Sequence, residues 1–390
     1  MVKPFQFSRM PLIHFGTGKI KVLPGLIRRY GNVIILLTDH RSFINSSYAE
    51  VLFESFRKEG IRYHHIVIPG EPSPGMIDAA VGKFNNETLD AVVSVGGGSV
   101  LDAGKAISAM MHVEGPVREY LEGVGTREHP GTKLPFIALP TTSGTGSEAT
   151  KNAVISQVGK DGFKKSLRHD NFVPDAAIVD PELTLSCPKA ITAASGMDCF
   201  TQLTESYLSE KACEYTDALA WEGLKALKSS IVQVYMNGQD PEARSGMSFA
   251  ALTSGICLAN AGLGVVHGFA SSIGGMFNIP HGVICGTLMA PANAITVREL
   301  RKRSGNPEGI NKYMRLGRLF LDADRKPDDY CIDGFVEYLS KLSDDLKLPR
   351  LGQYGIKEED LEPICRITEL KNNPVKLNTD DLIEILRERL

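Results

Sequence analysis

The sequence predicts a two-part chain, an α/β half built on a mostly parallel sheet followed by an all-α half. Three observations predict it. Short β-branched runs alternate with helical patterns through roughly the first half of the chain, strand signal then almost disappears, and two of the runs end in glycine-rich turns that lead onward into helical or hydroxyl-rich segments. The boundary is expected at 185/186, giving an α/β unit over 1–185 and a helical unit over 186–390.

The expected strands are Asn32–Thr38, Tyr63–Ile68, Asp90–Val95 and Pro135–Leu139, each rich in Val, Ile, Leu or Phe and bounded by turn residues. Between them Ile44–Glu59, Gly75–Asn86 and Ser99–His112 place apolar residues at helical spacing. Strands separated by helices of this length need crossover connections, which give parallel pairing with helices on both faces. Ligands of such sheets sit beyond the carboxyl ends of the strands. A last strand-like run, AAIVD, follows the prolines near 174. Beyond it, segments beginning near Pro188, Thr216, Arg244, Val265, Ile310, Cys331 and Asp380 read as helices, several opening on Asp, Ser, Thr or Pro. The cleft between the two units is the expected active site.

Composition narrows the function classes. The chain has 390 residues, is 43% hydrophobic and carries a formal net charge of -3, so two packed cores are affordable and no global basic excess exists to hold nucleic acid. The seven cysteines form no C-x-x-C pair and are odd in number, which fits reduced thiols better than a disulfide framework. The N-terminus lacks the apolar core and small-residue site of an export signal, and a cytoplasmic location is expected. No Asp, Glu, Lys or Arg occurs between Arg244 and Arg298. Asn260, His267, Asn278, Pro280, His281 and many glycines break that stretch, so it reads as buried helical core rather than a membrane hairpin.

The strand Asp90–Val95 runs into Gly96, Gly97, Gly98 and Ser99 before a helical pattern. Glycines permit close approach of backbone to phosphate, and the helix start supplies free N–H groups and the positive end of its dipole. A plain strand-to-helix turn would also use glycine, and the spacing is not G-x-G-x-x-G. The second turn, Pro140 to Glu148, carries five hydroxyl side chains, those of Thr141, Thr142, Ser143, Thr145 and Ser147, with two glycines. Two such turns at neighbouring strand ends favour a nucleotide. At the end of the first strand Asp39 could accept hydrogen bonds from an adenosine ribose and would repel a 2′-phosphate, which points to NAD over NADP; a solvated turn aspartate would look the same.

Asp198 and Gln202 stand at i and i+4 of one helical segment, while His267 and His281 lie inside the uncharged stretch. A carboxylate in an uncharged core needs a partner, and two histidines aimed at it make a 2-His-1-carboxylate metal set with Gln202 as a fourth, neutral oxygen donor. Spacing alone leaves hydrogen-bonded core histidines as the competing account.

Taken together, PLIHFGTGKI, GGGSVLDAGKAI, LPTTSGTGSEAT, VDPELT, SGMDCFTQLTES, GVVHG, IPHG and NNP resemble the iron-containing, metal-dependent alcohol dehydrogenase family along nearly the whole chain. The resemblance implies a dehydroquinate synthase-like fold and a divalent metal, Fe2+ or Zn2+, in the cleft. By matching position it implies NAD(P) held by Asp39, Gly97, Gly98, Ser99, Asp102, Thr141, Thr142, Thr145 and Lys165, and metal held by Asp198, His267 and His281. It also implies assembly into a homo-oligomer, a dimer or larger. Two positions depart from the family pattern, which usually has histidine at Gln202 and often a proton-relaying histidine at Ser271.

The implied reaction is NAD(P)-dependent hydride transfer between nicotinamide and the carbinol carbon of a small alcohol or aldehyde polarised by the metal, with Asp198, His267, His281 and Ser271 closest to the chemistry. Lys151 and Asn152, on the presumed cleft side, are the candidate substrate contacts, Lys151 for an anionic tail. Two other readings remain open: a metal-free reductase on the same scaffold, and a non-catalytic nucleotide-binding sensor.

Overall fold

In the computed structural model the described residues are 2, 4–40, 42–303 and 306–390. The α/β half holds eight strands: β1 (Leu12–Phe15), β2 (Val33–Asp39), β3 (Arg62–Ile68), β4 (Ala91–Gly96), β5 (Phe136–Pro140), β6 (Asn152–Gln157), β7 (Phe163–Arg168) and β8 (Ala176–Val179). Its helices are the short α1 (Leu23–Ile27), then α2 (Ser47–Lys58), α3 (Pro74–Phe84) and α4 (Gly98–Met110). Six strands form one sheet in the order β1-β8-β5-β4-β2-β3, all pairs parallel.

Because side chains alternate across a strand, each central strand feeds two cores. Ile34 and Leu36 of β2 join Leu23, Ile27 and Phe56 on one face, while Ile35 and Leu37 join Ile77, Phe84 and Phe136 on the other. Burial on both faces explains why β2, β4 and β5 read as continuous apolar runs. After β2 the chain adds β3 at the sheet edge and then returns to place β4 on the other side of β2. The carboxyl ends of β2 and β4 therefore flank a topological switch point, where open parallel sheets bind ligands.

Three strands escape the sequence pattern. β6 and β7 form a separate antiparallel hairpin, Asn152 opposite Arg168 and Gln157 opposite Phe163. Its second strand, FKKSLR, is too charged to read as a strand, yet Leu167 and the stem of Lys164 are buried. The edge strand β1 is only four residues long, too short for a period.

Among the described residues the second half has helices and no strand: α5 (Lys189–Leu208), α6 (Glu214–Met236), α7 (Pro241–Ala261), α8 (Val265–Met276), α9 (His281–Arg303), α10 (Pro307–Leu321), α11 (Asp328–Asp345), α12 (Glu358–Ile367) and α13 (Thr379–Glu388). Starts are set by local chemistry. Asp240 accepts hydrogen bonds from the N–H groups of Glu242 and Ala243 at 3.0 Å, with Pro241 in the first turn. Two helices were not expected from the sequence. α9 carries Gly282, Gly286 and an internal Pro291, and α12 an internal Pro363, so neither reads as helical by propensity.

The uncharged stretch forms α7, α8 and the first part of α9, with Ala250, Cys257, Val266, Phe269, Ile273, Ile284 and Leu288 in the core of the helical half. Among the described residues no single helix is long and apolar enough to cross a membrane; α7 and α8 together have the length, but they meet at 96°. Glycine stitches the two halves together. Gly146, at φ 61°, lies so close to α7 that a Cβ would stand 2.5 Å from the Ala251 carbonyl oxygen, and a Cβ on Gly255 would stand 2.1 Å from the Gly146 oxygen. The glycines of the second turn thus serve domain contact, an assignment that turn chemistry alone does not reveal.

Candidate functional site

A cleft of about 820 Å³ runs between the halves. Gly98, Ser99, Asp102 and Thr145 line it from the sheet side, Asn152 and Lys165 from the β6–β7 hairpin, and Gln202, His267, Ser271 and His281 from the helices. Asp39, Gly97, Thr141 and Thr142 are not part of this wall. They sit at the carboxyl ends of β2, β4 and β5. Asp39 accepts from the backbone N–H of Ser42 at 2.5 Å and from its hydroxyl.

The first turn is built for close approach. Gly97 is the N-cap of α4 and no side chain caps that helix, so its leading N–H groups are not claimed by a side chain. A Cβ on Gly98 would stand 2.7 Å from Thr145 Oγ1, which brings the two turns into contact. Asp102 is engaged by protein: Ser147 Oγ donates to its Oδ1 and the Val154 N–H to its Oδ2 at 3.0 Å, which pins the hairpin to α4. Lys165 extends across the cleft to Glu369, Nζ to Oε1 at 3.3 Å. Lys151 does not line the cleft; its ammonium pairs with Asp170 at 2.7 Å. Asn152 does, donating from Nδ2 to Ser166 Oγ at 3.3 Å, with its buried Oδ1 unpartnered.

Three helices converge on one buried point, each presenting an i, i+4 pair. α5 contributes Asp198 and Gln202, α8 contributes His267 and Ser271, and α9 contributes His281 and Cys285. His267 Nε2 lies 3.3 Å and His281 Nε2 3.6 Å from Asp198 Oδ1, an atom buried without a directed hydrogen bond. Cys285 Sγ stands 3.7 Å from each of the two Nε2 atoms. All four donor atoms fall within 4.8 Å of one another. Cys285 was not read from the sequence, although its i+4 spacing from His281 was available there. Gln202 Oε1 accepts from Ser254 Oγ at 2.9 Å, and Ser271 Oγ donates to the His267 carbonyl at 3.0 Å.

Glu205, two turns after Asp198, was also missed. Its Oε2 is 2.7 Å from His267 Nδ1, and its Oε1 accepts the Val266 N–H at 2.7 Å, so one carboxylate caps α8 and orients the imidazole. Holding Nδ1 in this bond leaves Nε2 to face Asp198, as carboxylate–histidine partners do at metal sites.

The electrostatics suit a cation. Burial drives the His281 imidazole down to about 4, so it stays neutral. For Asp198, burial raises the carboxyl pKa, but the two imidazoles and Cys285 outweigh it and the carboxylate stays ionised. Burial would lower His267 too, yet Cys285, Glu205 and Asp198 hold it well above the ordinary value. A proton on His267 then supplies positive charge that a divalent ion would otherwise bring. An orphaned carboxylate oxygen, two imidazole nitrogens and a thiol at mutual contact fit a divalent metal.

The iron-containing alcohol dehydrogenase pattern matches residues 11–181, and the C-terminal pattern of the Fe-containing alcohol dehydrogenase family matches residues 192–390. The chain is 33% identical to long-chain-alcohol dehydrogenase 1 of Geobacillus thermodenitrificans over 359 residues, 91% of this chain and 88% of the relative. It is 28% identical to the NAD-dependent methanol dehydrogenase of Bacillus methanolicus over 396 residues, 97% and 98% of the two chains. Among solved structures it superposes on an alcohol dehydrogenase from Oenococcus oeni with a TM-score of 0.88 at 27% identity, covering 99% of this chain and 100% of that one. With both halves matched and the cleft carrying a metal-binding set opposite an uncapped glycine-rich turn, the chain belongs to the iron-containing alcohol dehydrogenase family and is an NAD-linked oxidoreductase.

Proposed function

We propose that this chain transfers a hydride between the nicotinamide of NAD and the carbinol carbon of a small alcohol or aldehyde whose oxygen points at the Asp198–His267–His281 cluster. The observation that carries the reading is the convergence of those three side chains behind a cleft whose opposite wall is the uncapped start of α4. Gly97, Gly98 and Ser99 receive the pyrophosphate on backbone N–H groups, and Thr141, Thr142 and Thr145 supply hydroxyls to phosphate or ribose. Asp39 faces the adenosine ribose and disfavours a 2′-phosphate, which is the basis for NAD over NADP.

Asp198, His267 and His281 would hold a divalent metal, zinc or iron. When bound there, such an ion would supply the positive charge that makes an alcohol proton more acidic and an aldehyde carbon a better hydride acceptor. The protein positions the reacting carbon and excludes water. In the oxidative direction, the C–H electron pair and its hydrogen leave for nicotinamide, and the hydroxyl proton leaves for solvent. Ser271 lines this route, but its own hydrogen is held by the His267 carbonyl, so it acts as a hydrogen-bond acceptor for the departing proton. Among cleft lysines, Lys211 and Lys371 have no ion-pair partner among the described residues, and Lys371, close enough to Glu205 and Cys285 to feel their charge, takes over the contact with any anionic substrate tail from Lys151, which Asp170 occupies.

The test is a panel of short alcohols and aldehydes with NAD and NADP, read by the near-ultraviolet absorbance of reduced cofactor, on protein stripped with chelator and reloaded with zinc or iron(II). Turnover with NAD that depends on added metal is expected. Equal turnover in stripped protein would replace this reading with a metal-free reductase, and no turnover with any pair would replace it with a nucleotide sensor.

A further inference from the structure

The Asp198 cluster contains one donor more than the reaction reading uses. Cys285 is fully buried on α9, one helical turn from His281, and its sulfur is equidistant, at 3.7 Å, from both imidazole nitrogens. A tetrahedral zinc bound to nitrogen and oxygen at about 2.0–2.1 Å and to sulfur at about 2.3 Å separates nitrogen from oxygen by about 3.3 Å and sulfur from nitrogen by about 3.6 Å. Four of the six corresponding separations are 3.3 and 3.6 Å for the two imidazoles to Asp198 Oδ1, and 3.7 Å twice for sulfur, and all six lie within 4.8 Å.

Gln202 is differently placed. Its amide oxygen accepts a hydrogen bond from Ser254, and its side chain lines the cleft, whereas Asp198 and Cys285 do not. Sulfur and carboxylate thus approach the point from behind, and the cleft-facing side is left to Gln202 and Ser271. An amide oxygen is a hard, neutral donor and a thiolate a soft, charged one, so exchanging one for the other changes which ion the site prefers.

We infer that Cys285, not Gln202, is the fourth protein donor at this site, with a substrate oxygen entering as a fifth donor from the Gln202 side, and that its thiolate makes the site select zinc over iron(II). On binding, the sulfur–hydrogen bond is exchanged for a sulfur–metal bond and the proton is released to buffer. The inference rests on the proposed function only in taking this cluster as the site of a divalent metal, and its test does not require turnover.

Stripped protein is loaded with one equivalent of cobalt(II), and the thiolate-to-cobalt charge-transfer band in the near ultraviolet is recorded. The wild type and Gln202→Ala are expected to show the band, and Cys285→Ser to lose it. Chelator competition should show Cys285→Ser weakening zinc on the order of tenfold or more, since even outer partners of metal ligands change affinity by about 10–100-fold, with a smaller loss for iron(II). X-ray absorption of the zinc-loaded wild type, expected to show one sulfur at about 2.3 Å, keeps the question answerable if Cys285→Ser does not fold. A stoichiometrically loaded wild type with no such band and no sulfur neighbour would overturn the assignment, as would a band that survives in Cys285→Ser. A band present in protein that turns over no alcohol or aldehyde would leave Cys285 as a ligand and remove the dehydrogenase reading instead.

Discussion

Two buried polar clusters adjoin the cleft, and they solve the problem of buried charge in opposite ways. Beneath α4, Lys105 is 0% exposed and donates to the Ser147 carbonyl at 2.8 Å, Ser147 Oγ at 3.1 Å, Thr150 Oγ1 at 2.9 Å and the Asn152 carbonyl at 2.8 Å, with Asp102 at 3.9 Å. This cluster contains its own cation, and every donor of the ammonium is used. Between α5, α8 and α9, Asp198, His267, His281 and Cys285 converge with no lysine or arginine among them and with Asp198 Oδ1 and His281 Nδ1 unpartnered. The first cluster is a structural clamp that ties α4 to the second glycine-rich turn and the hairpin. On the proposed function the second is completed by an ion from outside. A buried polar group that lacks a partner in the protein needs an explanation, and a divalent ion is the one that this donor set fits.

The comparison breaks most easily at Asp198. Asp198→Ala should drop bound metal to background and lower turnover about a thousandfold, the effect of several kcal/mol of lost charge stabilisation. In chelator-stripped protein the same substitution should still cost some stability, because the imidazoles of His267 and His281 lose the carboxylate that they face at 3.3 and 3.6 Å. Metal analysis, kcat and urea unfolding of stripped protein check the three together.

Lys105→Met should do the reverse. It leaves Asp102 and two carbonyls without their cation and should cost about 3–5 kcal/mol, read by urea unfolding, whether or not metal is present. A loss that vanished in stripped protein would mean that the two clusters are one system.

Glu148, beside this clamp, sharpens the contrast through pH. Burial pushes its carboxyl up to about 7 from 4.5. Between those values the folded chain keeps a proton that the unfolded chain has released, so this group's contribution is most favourable below pH 4.5 and is lost as the pH rises to 7. At about 1.4 kcal/mol per pH unit the loss is about 3 kcal/mol. Unfolding free energies of Glu148→Gln and wild type should diverge by that amount across the interval, the variant having the flatter profile.

Glu205→Gln should weaken metal binding by about 10–100-fold while leaving the fold intact, because the amide can still meet either His267 or Val266 but no longer supplies charge. Competition with a calibrated chelator measures it. The smallest effect is expected at the cleft rim. Lys371→Met should raise KM for an anionic aldehyde by about fivefold to tenfold, the loss of roughly 1 kcal/mol from one partly solvated charge contact, and leave neutral aldehydes unchanged. Lys151→Met should change neither.

Much of the fold is legible in the sequence. The parallel sheet follows from apolar runs such as VIILLTD and from crossover helices of adequate length, and the helical half follows from the disappearance of such runs after Val179. The β6–β7 hairpin could not be read, because Lys164 and Lys165 obscure its period and its burial comes from packing on α4 and α8. Helix α9 was hidden by its own glycines and proline, and with it the i, i+4 relation of His281 to Cys285.

The sequence by itself determined which residue types would be available: two glycine-rich turns after strands, one aspartate on a helix, and two histidines in a segment with no other charge. Those are local properties, carried by spacing and composition. Only the tertiary structure decided that Cys285 joins Asp198, that Glu205 orients His267, that Lys105 belongs to a closed clamp, and that Lys151 is occupied by Asp170. Each of these depends on a distance between residues far apart in the chain or on different elements, and such distances are fixed when the helices pack, not when they form.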